Sequence, residues 1–264
     1  MKRHHALLFF NLLSVFLISG IASAFDITGL QPIAPNGIFS TFSAESIPKN
    51  KLAFETGIEI SGEPDFNRFY LKGAYGISDS LEFLIMAPYI TNFLDQYDGM
   101  EDISLGFKHR FYDGGRYGPD LAYLVNASIP SGGDEFSTDG RFGLGLILTK
   151  RIGPFKGHMN LFYEKPGTGR LNDEVSFLGG IEFSAAHNFK LLSEILAKKS
   201  HYSREYNQVE ARFGYRIKTT DYIHTTIGIG FDLKNRSPEY RIMLSVSFVP
   251  PGKAKQIRKV YEKE

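Results

Sequence analysis

Over most of its length, the chain alternates apolar and polar residues in segments that are separated by turns. In residues 101–111, for example, Ile103 and Phe107 share one face of an extended strand, while Ser104 and Lys108 share the other. Each segment has about the 9 to 11 residues with which a tilted strand crosses the hydrocarbon layer of a membrane. The pattern is therefore typical of a membrane-spanning β-barrel.

Counting these segments predicts an all-β fold, a transmembrane antiparallel up-and-down β-barrel of about 12 strands, with ten or fourteen as alternatives. An even count returns both ends of the barrel chain to the same side of the membrane. The predicted strands span residues 50–60, 66–77, 80–90, 101–112, 119–130, 141–152, 157–165, 174–184, 189–200, 207–217, 222–233 and 239–249.

The two faces of these strands differ in chemistry. The predicted lipid face comprises Leu52, Phe54, Ile58, Leu71, Tyr75, Leu121, Tyr123, Val125, Leu144, Leu146, Phe213, Tyr215, Ile227, Ile229, Ile242, Leu244 and Val246. The predicted lumen-lining residues carry interleaved charges of both signs, and they include Arg68, Lys72, Glu82, Asp102, Lys108, Arg110, Glu194, Glu210, Arg212, Arg216 and Arg241. A soluble β-sandwich remains an alternative, because amphipathic strands alone do not distinguish lipid from a protein core.

The amino terminus predicts export. Lys2 and Arg3 precede an apolar run that ends at Ala22-Ser23-Ala24, the small-residue pattern of a signal-peptidase site. We therefore expect residues 1–24 to be a cleaved signal peptide and the mature protein to lie in the cell outer membrane. The predicted organisation continues with an irregular N-terminal segment over 25–48, the barrel over 49–249 and a charged periplasmic tail over 250–264.

Proline and glycine in residues 25–48 disfavour a regular strand there. The preferred interpretation is a loose leader that reaches the first strand; the alternative is a constriction folded into the lumen. The connections between strands alternate in length, with short turns such as 153–154 and longer ones such as 131–140. Short turns usually face the periplasm, so both termini are expected on that side.

Several phrases resemble a known family. They are Pro48-Lys-Asn-Lys-Leu-Ala-Phe-Glu-Thr-Gly, Tyr75-Gly-Ile-Ser-Asp-Ser-Leu-Glu-Phe, Gly99-Met-Glu-Asp-Ile-Ser-Leu-Gly-Phe-Lys-His-Arg and Ala127-Ser-Ile-Pro-Ser-Gly-Gly. Together they resemble the outer-membrane barrel family, transporter-like, that is named for the MetA pathway of phenol degradation. The resemblance implies a barrel and the passage of small or aromatic molecules, and it carries no catalytic residues.

Composition narrows the chemistry. The formal charge of +1 and the pI near 7.9 argue against nucleic acid as a partner. The absence of cysteine excludes disulfides and thiolate sites. The five histidines outside the predicted signal peptide, His109, His158, His187, His201 and His224, form no close cluster, so no catalytic residue, no cofactor-binding residue and no metal ligand is predicted, and no cofactor is expected.

Three local features admit a second interpretation. Residues 132–136 spell a cyclase signature, but we interpret them as an acidic surface loop, in which Asp134, Glu135 and Asp139 could collect a divalent ion. His109 is expected to be an interfacial residue rather than part of a Ser-His lipid-cleaving pair. Gly143-Leu-Gly145 and Gly228-Ile-Gly230 are interpreted as glycines that make room for long side chains.

The favoured function is a channel for passive passage of small solutes, aromatic or hydrophobic ones included. The alternatives are a sealed structural barrel that presents its loops to a partner, and a barrel enzyme that modifies lipid or lipopolysaccharide. Expected partners are outer-membrane lipid, a small-molecule solute and the barrel insertion machinery, whose carboxy-terminal signal the strand Tyr240–Phe248 resembles.

Overall fold

A computed structural model describes residues 29–93, 95–115, 117–133, 136–201, 207–234 and 239–250. The predicted signal peptide and all but the first residue of the predicted charged tail lie outside these ranges. Among the described residues, none belongs to a helix that is long and apolar enough to cross a bilayer.

Thirteen strands are formed within the described residues. They are β1 (Leu52–Gly62), β2 (Phe66–Gly76), β3 (Leu81–Phe93), β4 (Tyr97–Met100), β5 (Ile103–Tyr112), β6 (Asp120–Ile129), β7 (Arg141–Ile152), β8 (Phe155–Pro166), β9 (Glu174–Ala186), β10 (Phe189–Lys199), β11 (Gln208–Lys218), β12 (Ile223–Asp232) and β13 (Tyr240–Phe248).

Twelve of these strands close into a barrel. Each pairs antiparallel with its neighbours in chain order, and β13 pairs with β1, from Phe54↔Phe248 to Gly62↔Tyr240. The short β4 is not a wall strand, because it pairs only with β3 and extends that strand beyond the wall. The prediction of an antiparallel barrel of about twelve strands is confirmed.

Strand parity also matches the sequence pattern. On β7, Leu144 and Leu146 are exposed on the exterior, while Ile147 and Thr149 are buried inside. None of the seventeen predicted lipid-facing residues is buried. An error in parity is costly, since a charged side chain at the membrane midplane costs roughly 2–4 kcal/mol.

The two ends of the barrel differ. The terminal end, where β1 begins and β13 finishes, carries the turns 77–80, 113–119, 153–154, 187–188 and 219–222; the loop end carries the other connections. Aromatic pairs on the exterior mark the terminal end: Phe111–Tyr123, Phe155–Phe183, Phe189–Tyr215 and Tyr222–Phe248, with ring centroids 4.8–6.1 Å apart. Such rings are typical of a membrane–water interface.

Candidate functional site: a lumen filled by the N-terminal segment

Residues 29–48, called the lumenal segment below, lie inside the barrel. Its large apolar side chains Leu30, Ile33, Phe39, Phe42 and Ile47 are all buried. The preferred expectation of a loose leader is therefore wrong, and the alternative of a constriction is correct. The physical reason is that these apolar residues are stabilised by burial, which an exposed leader could not provide.

Carboxylates of the barrel wall hold the backbone N–H groups of the lumenal segment. Glu194 accepts hydrogen bonds from three consecutive N–H groups, residues 39–41, at 2.8–3.3 Å. Glu55 accepts from the N–H of Ala34 at 2.7 Å, and Glu82 accepts from the N–H of Ile47 at 2.6 Å. Because the segment forms no regular sheet, these side chains replace the partners that a strand would have supplied.

Cations of the wall bind the carbonyl groups of the same segment. Lys108 donates to the carbonyl oxygens of Ser43 and Glu45 at 2.8 and 2.7 Å, and Arg216 donates to that of Gly37 at 2.7 Å. Hydrogen bonds in which one partner is charged are about twice as strong as neutral ones. The charges of both signs on the wall therefore bind both the donors and the acceptors of the lumenal backbone.

Asn160 on β8 binds the segment through both groups of its amide. Its Oδ1 accepts from the N–H of Phe42 at 2.6 Å, and its Nδ2 donates to the carbonyl oxygen of Phe42 at 3.0 Å. The ring of Phe42 packs against Phe162, with centroids 5.7 Å apart. Phe162 falls on the lumen parity of its strand, and this contact explains an aromatic residue at that position.

Phe39 occupies a niche in the wall that two glycines create. Gly214 on β11 and Gly228 on β12 lie opposite each other in the sheet. A Cβ atom on Gly228 would overlap the Phe39 ring, and one on Gly214 would come within 2.9 Å of it. With Ile38, Leu192 and Met243, the ring forms an apolar cluster inside the lumen.

The expectation that the paired glycines make room for long side chains is supported at each position. Gly143 leaves space for Asn126, Gly145 for the ring of Phe162, and Gly230 for the carboxylate of Glu210. Each of these glycines faces inward, where the wall curves and side chains crowd.

A chain of ion pairs runs from the loop end into the middle of the lumen. Its members, in order of contact, are Glu101, Arg68, Glu59, Arg241, Glu210, Arg212 and Glu194. The Arg68–Glu101 contact is 2.7 Å, and the Arg212–Glu210 contact is 2.8 Å. All seven side chains are buried, so each charge depends on its neighbours for solvation.

Asp102 anchors a loop-end connection. Its carboxylate accepts four hydrogen bonds, from the N–H of Gly132, the hydroxyl of Ser137, and the N–H and hydroxyl of Thr138. Burial raises the pKa of Asp102, but the Thr138 and other hydrogen bonds outweigh it and lower that pKa below its usual range. Phe136 of the same connection packs inside the barrel mouth against Phe93, with centroids 5.8 Å apart.

Two of the spaces that remain in the lumen between the described residues bear on function. A loop-side cavity of about 80 Å³ has an apolar wall that includes Leu124, Phe162 and Leu178, and charged groups that include Arg212 and Arg241. A vestibule of about 710 Å³ opens at the terminal end; its lining includes Asn36, Asp79, Arg110 and Lys218. The lumenal segment lines both spaces, with residues 29–31 and Ser40 at the first and Pro35, Asn36 and residues 45–48 at the second.

The predicted lumen residues thus have four placements. Those that bind the lumenal segment are Lys72, Glu82, Lys108, Glu194, Arg212 and Arg216. Arg68, Glu210 and Arg241 belong to the ion-pair chain, and Asp102 holds the 131–140 connection. Arg110 lies at the rim of the vestibule and donates to the carbonyl oxygen of Asp79 at 3.2 Å. Their role as the lining of an open pore remains a prediction.

The sequence did not predict that residues 29–48 would lie in the lumen, or that Asn160 and Thr149 would hydrogen-bond to them. Thr149 accepts from the N–H of Ala44 at 2.9 Å. The available signal was a series of large apolar residues in a stretch that was expected to be exposed.

Two further sequence features can be located. His109 faces the exterior, and its ring packs against that of Tyr123, 5.3 Å away, beside the aromatic band at the terminal end. Of the acidic loop residues that could collect an ion, Asp134 and Glu135 lie outside the described residues, and Asp139 is exposed.

Solved structures with the same fold are channels. An outer membrane channel from Pseudomonas putida F1 superimposes with a TM-score of 0.60 at 12% identity, covering 78% of this chain and 97% of that one. The KdgM porin gives 0.57 at 9% identity over 74% and 98% of the two chains, and the NanC porin gives 0.51 at 13% over 75% and 98%. No protein-family model and no curated protein matches the sequence.

The fold is accordingly that of outer-membrane channel and porin barrels. The similar structures named above are described as an outer membrane channel and as porins, and at 9–13% identity they show the fold that this chain shares with them. The finer resemblance, to the family named for the MetA pathway, remains a prediction.

Proposed function

We propose that this protein is an outer-membrane channel for passive passage of small solutes, and that its lumenal segment gates the passage. The observation that carries the proposal is the position of the lumenal segment, which lines both the loop-side cavity and the vestibule. We expect displacement of residues 33–39 to join the two spaces without the movement of a wall strand.

The energetics favour a gate that opens rarely. Moving Ile38 and Phe39 out of their cluster removes two large apolar side chains from burial, at a cost of about 1.5–3 kcal/mol each. The hydrogen bonds to Glu194 and Arg216 can be exchanged for water. A cost of about 3–6 kcal/mol corresponds to an open fraction of about 10⁻² to 10⁻⁴, so brief openings from a closed state are expected.

The loop-side cavity indicates the kind of solute. Its apolar wall, which includes Leu124, Phe162 and Leu178, faces Arg212 and Arg241 across a small space. Such a lining suits a small molecule with one apolar or aromatic side and one polar group. The toluene transporter TodX of Pseudomonas putida has a related fold, with a TM-score of 0.50 at 10% identity over 86% of this chain and 99% of that one.

Planar-bilayer recording of the folded wild-type protein tests the proposal. We expect long closed periods interrupted by discrete single-channel steps, and faster uptake of small aromatic solutes into proteoliposomes than into protein-free liposomes. The absence of steps at every voltage, together with uptake equal to that of protein-free liposomes, would contradict the proposal.

The filled lumen also favours a second candidate, a sealed structural barrel. Buried ion pairs between neighbouring wall strands, such as Lys108–Glu82 at 2.8 Å and Lys72–Glu55 at 3.1 Å, use the same side chains that hydrogen-bond to the backbone of the lumenal segment. A sealed barrel gives no steps in the wild-type protein but acquires them when the segment is weakened. A channel shows steps in both.

A further inference from the structure

The loop end holds a side-chain cluster beside the loop-side cavity of the proposed channel. Glu164 on β8, Glu174 on β9 and His201 after β10 are buried together, and one potential ligand atom from each lies within 4.8 Å of the others. These residues come from three separate parts of the chain. Their meeting is therefore a product of the barrel and of its loops.

The orientation of His201 is set by the backbone. Its Nδ1 lies 2.9 Å from the carbonyl oxygen of Asn172, which can only accept a hydrogen bond, so Nδ1 carries the proton. In the neutral ring, Nε2 then presents a lone pair. Among the described residues that atom has no hydrogen-bond partner, its side chain is 2% exposed, and it lies 3.3 Å from Oε2 of Glu174.

Burial disfavours the charged form of an imidazole, and His201 is 2% exposed. A lone pair on Nε2 facing a carboxylate oxygen is repulsive unless a positive group lies between them. The geometry thus leaves room for a cation at this point.

We propose that Glu164, Glu174 and His201 bind a transition-metal ion of the zinc type. One imidazole nitrogen and two carboxylate oxygens form a donor set that zinc accepts, with bonds of about 2.0–2.2 Å, so a small contraction of the cluster completes the site. Water in the adjoining 80 Å³ cavity, which Glu164 and Glu174 line, supplies the remaining position.

The surroundings of the cluster resemble those of a metal site. Asn126 donates from Nδ2 to Oε1 of Glu164 at 2.6 Å, and the Asn172 carbonyl holds His201. Hydrogen bonds of this kind orient metal ligands in proteins. They also fix the two ligands before an ion arrives.

Two cations compete with the metal. Arg141 lies 3.1 Å from Glu164, and Lys198 lies 3.0 Å from Glu174. Arg141 carries a rigid guanidinium, whereas the flexible stem of Lys198 allows its ammonium group to turn into the cavity. Metal binding is therefore expected to displace Lys198, which provides a specific test.

The experiment titrates the folded, detergent-solubilised full-length protein, freed of metal by a chelator, with ZnCl₂ in a calorimeter and with CoCl₂ by visible absorption. We expect one site per chain and a cobalt spectrum typical of mixed nitrogen and oxygen ligands. His201→Gln is expected to abolish this binding, whereas His187→Gln, in a turn at the terminal end, leaves it unchanged. Folding of each variant is checked by its heat-modifiable gel mobility.

Lys198→Met removes the competing charge and keeps the side-chain stem. Because the ammonium group and the metal repel each other, this variant is expected to bind zinc about tenfold more tightly, or better. If Lys198 only stabilised the fold, its replacement by Met would not raise the affinity for zinc. The proposal is overturned if the wild type shows no saturable site, if His201→Gln binds as the wild type does, or if Lys198→Met leaves the affinity unchanged.

Discussion

The glycine niche of Phe39 gives a direct way to open the gate from the wall. Gly228→Ala places a methyl group where the Phe39 ring lies, while the backbone of β12 stays in its ordinary conformation. The ring must leave the niche or the wall must move. Since the wall at this point is paired on both sides, by β11 and β13, the ring is the part that yields.

The magnitude follows from the cost of overpacking. An extra methyl group in a closely packed site costs typically about 1–3 kcal/mol. If the strain exists only while Phe39 is in place, it destabilises the closed state alone, and the open fraction rises about 5- to 150-fold. Phe39→Ala removes the same contact from the other side, so the double variant is expected to equal Phe39→Ala alone.

Single-channel recording at fixed voltage measures the open fraction. Gly179→Ala is the matched control, because it makes the same substitution in β9 and its Cβ would meet only Ile195, at an ordinary 3.5 Å. An open fraction in Gly228→Ala that equals that of Gly179→Ala would refute the assignment of Phe39 to the gate. An additive double variant would refute the shared mechanism.

Three further predictions test the binding of the lumenal segment by Glu194, the lipid-facing exterior of β7 and the anchoring of the 131–140 connection by Asp102. Glu194→Gln weakens the acceptor of three N–H groups, and we expect about tenfold more frequent openings, measured in the same bilayer assay. Leu146→Arg, at the middle of β7, is expected to lower the free energy of unfolding in lipid vesicles by about 2–4 kcal/mol. Ile152→Arg, at the end of the same strand, is expected to lower it by no more than about 1 kcal/mol. Equal losses in the two variants would contradict the placement of β7 in the bilayer. Asp102→Asn is expected to cost about 2 kcal/mol of stability at pH 7, and Asp139→Asn in the same connection almost nothing.

The Asp102 effect has a defined pH dependence. A carboxyl group whose pKa is lowered by folding stabilises the protein fully above its ordinary value of 3.8 and loses that contribution as the pH falls through the lowered value. The free energies of urea unfolding of the wild type and Asp102→Asn should therefore differ at pH 7 and converge as the pH falls through the lowered pKa. A difference that persists at low pH would contradict the role of the ionised carboxylate.

The barrel wall could be predicted from sequence because the pattern that specifies it lies within each single strand. Each strand must show one face to lipid and the other to the lumen, so the period-two pattern gave the wall, its parity and the strand count. Even Phe162, on the polar parity of β8, pointed to an interior partner. The four-residue β4 could not be predicted, because its pairing with β3 depends on how a long connection folds back.

The period-two pattern did not predict that residues 29–48 would fill the lumen. The lumenal segment has no period, and its proline and glycine residues favour a loop under any local rule. Its position depends on contacts across more than a hundred residues of chain, such as Phe42 with Asn160 and Thr41 with Glu194. The sequence alone determined a barrel with charges inside; the tertiary structure decided that those charges bind the chain's own backbone, because only closure of the barrel brings them around it.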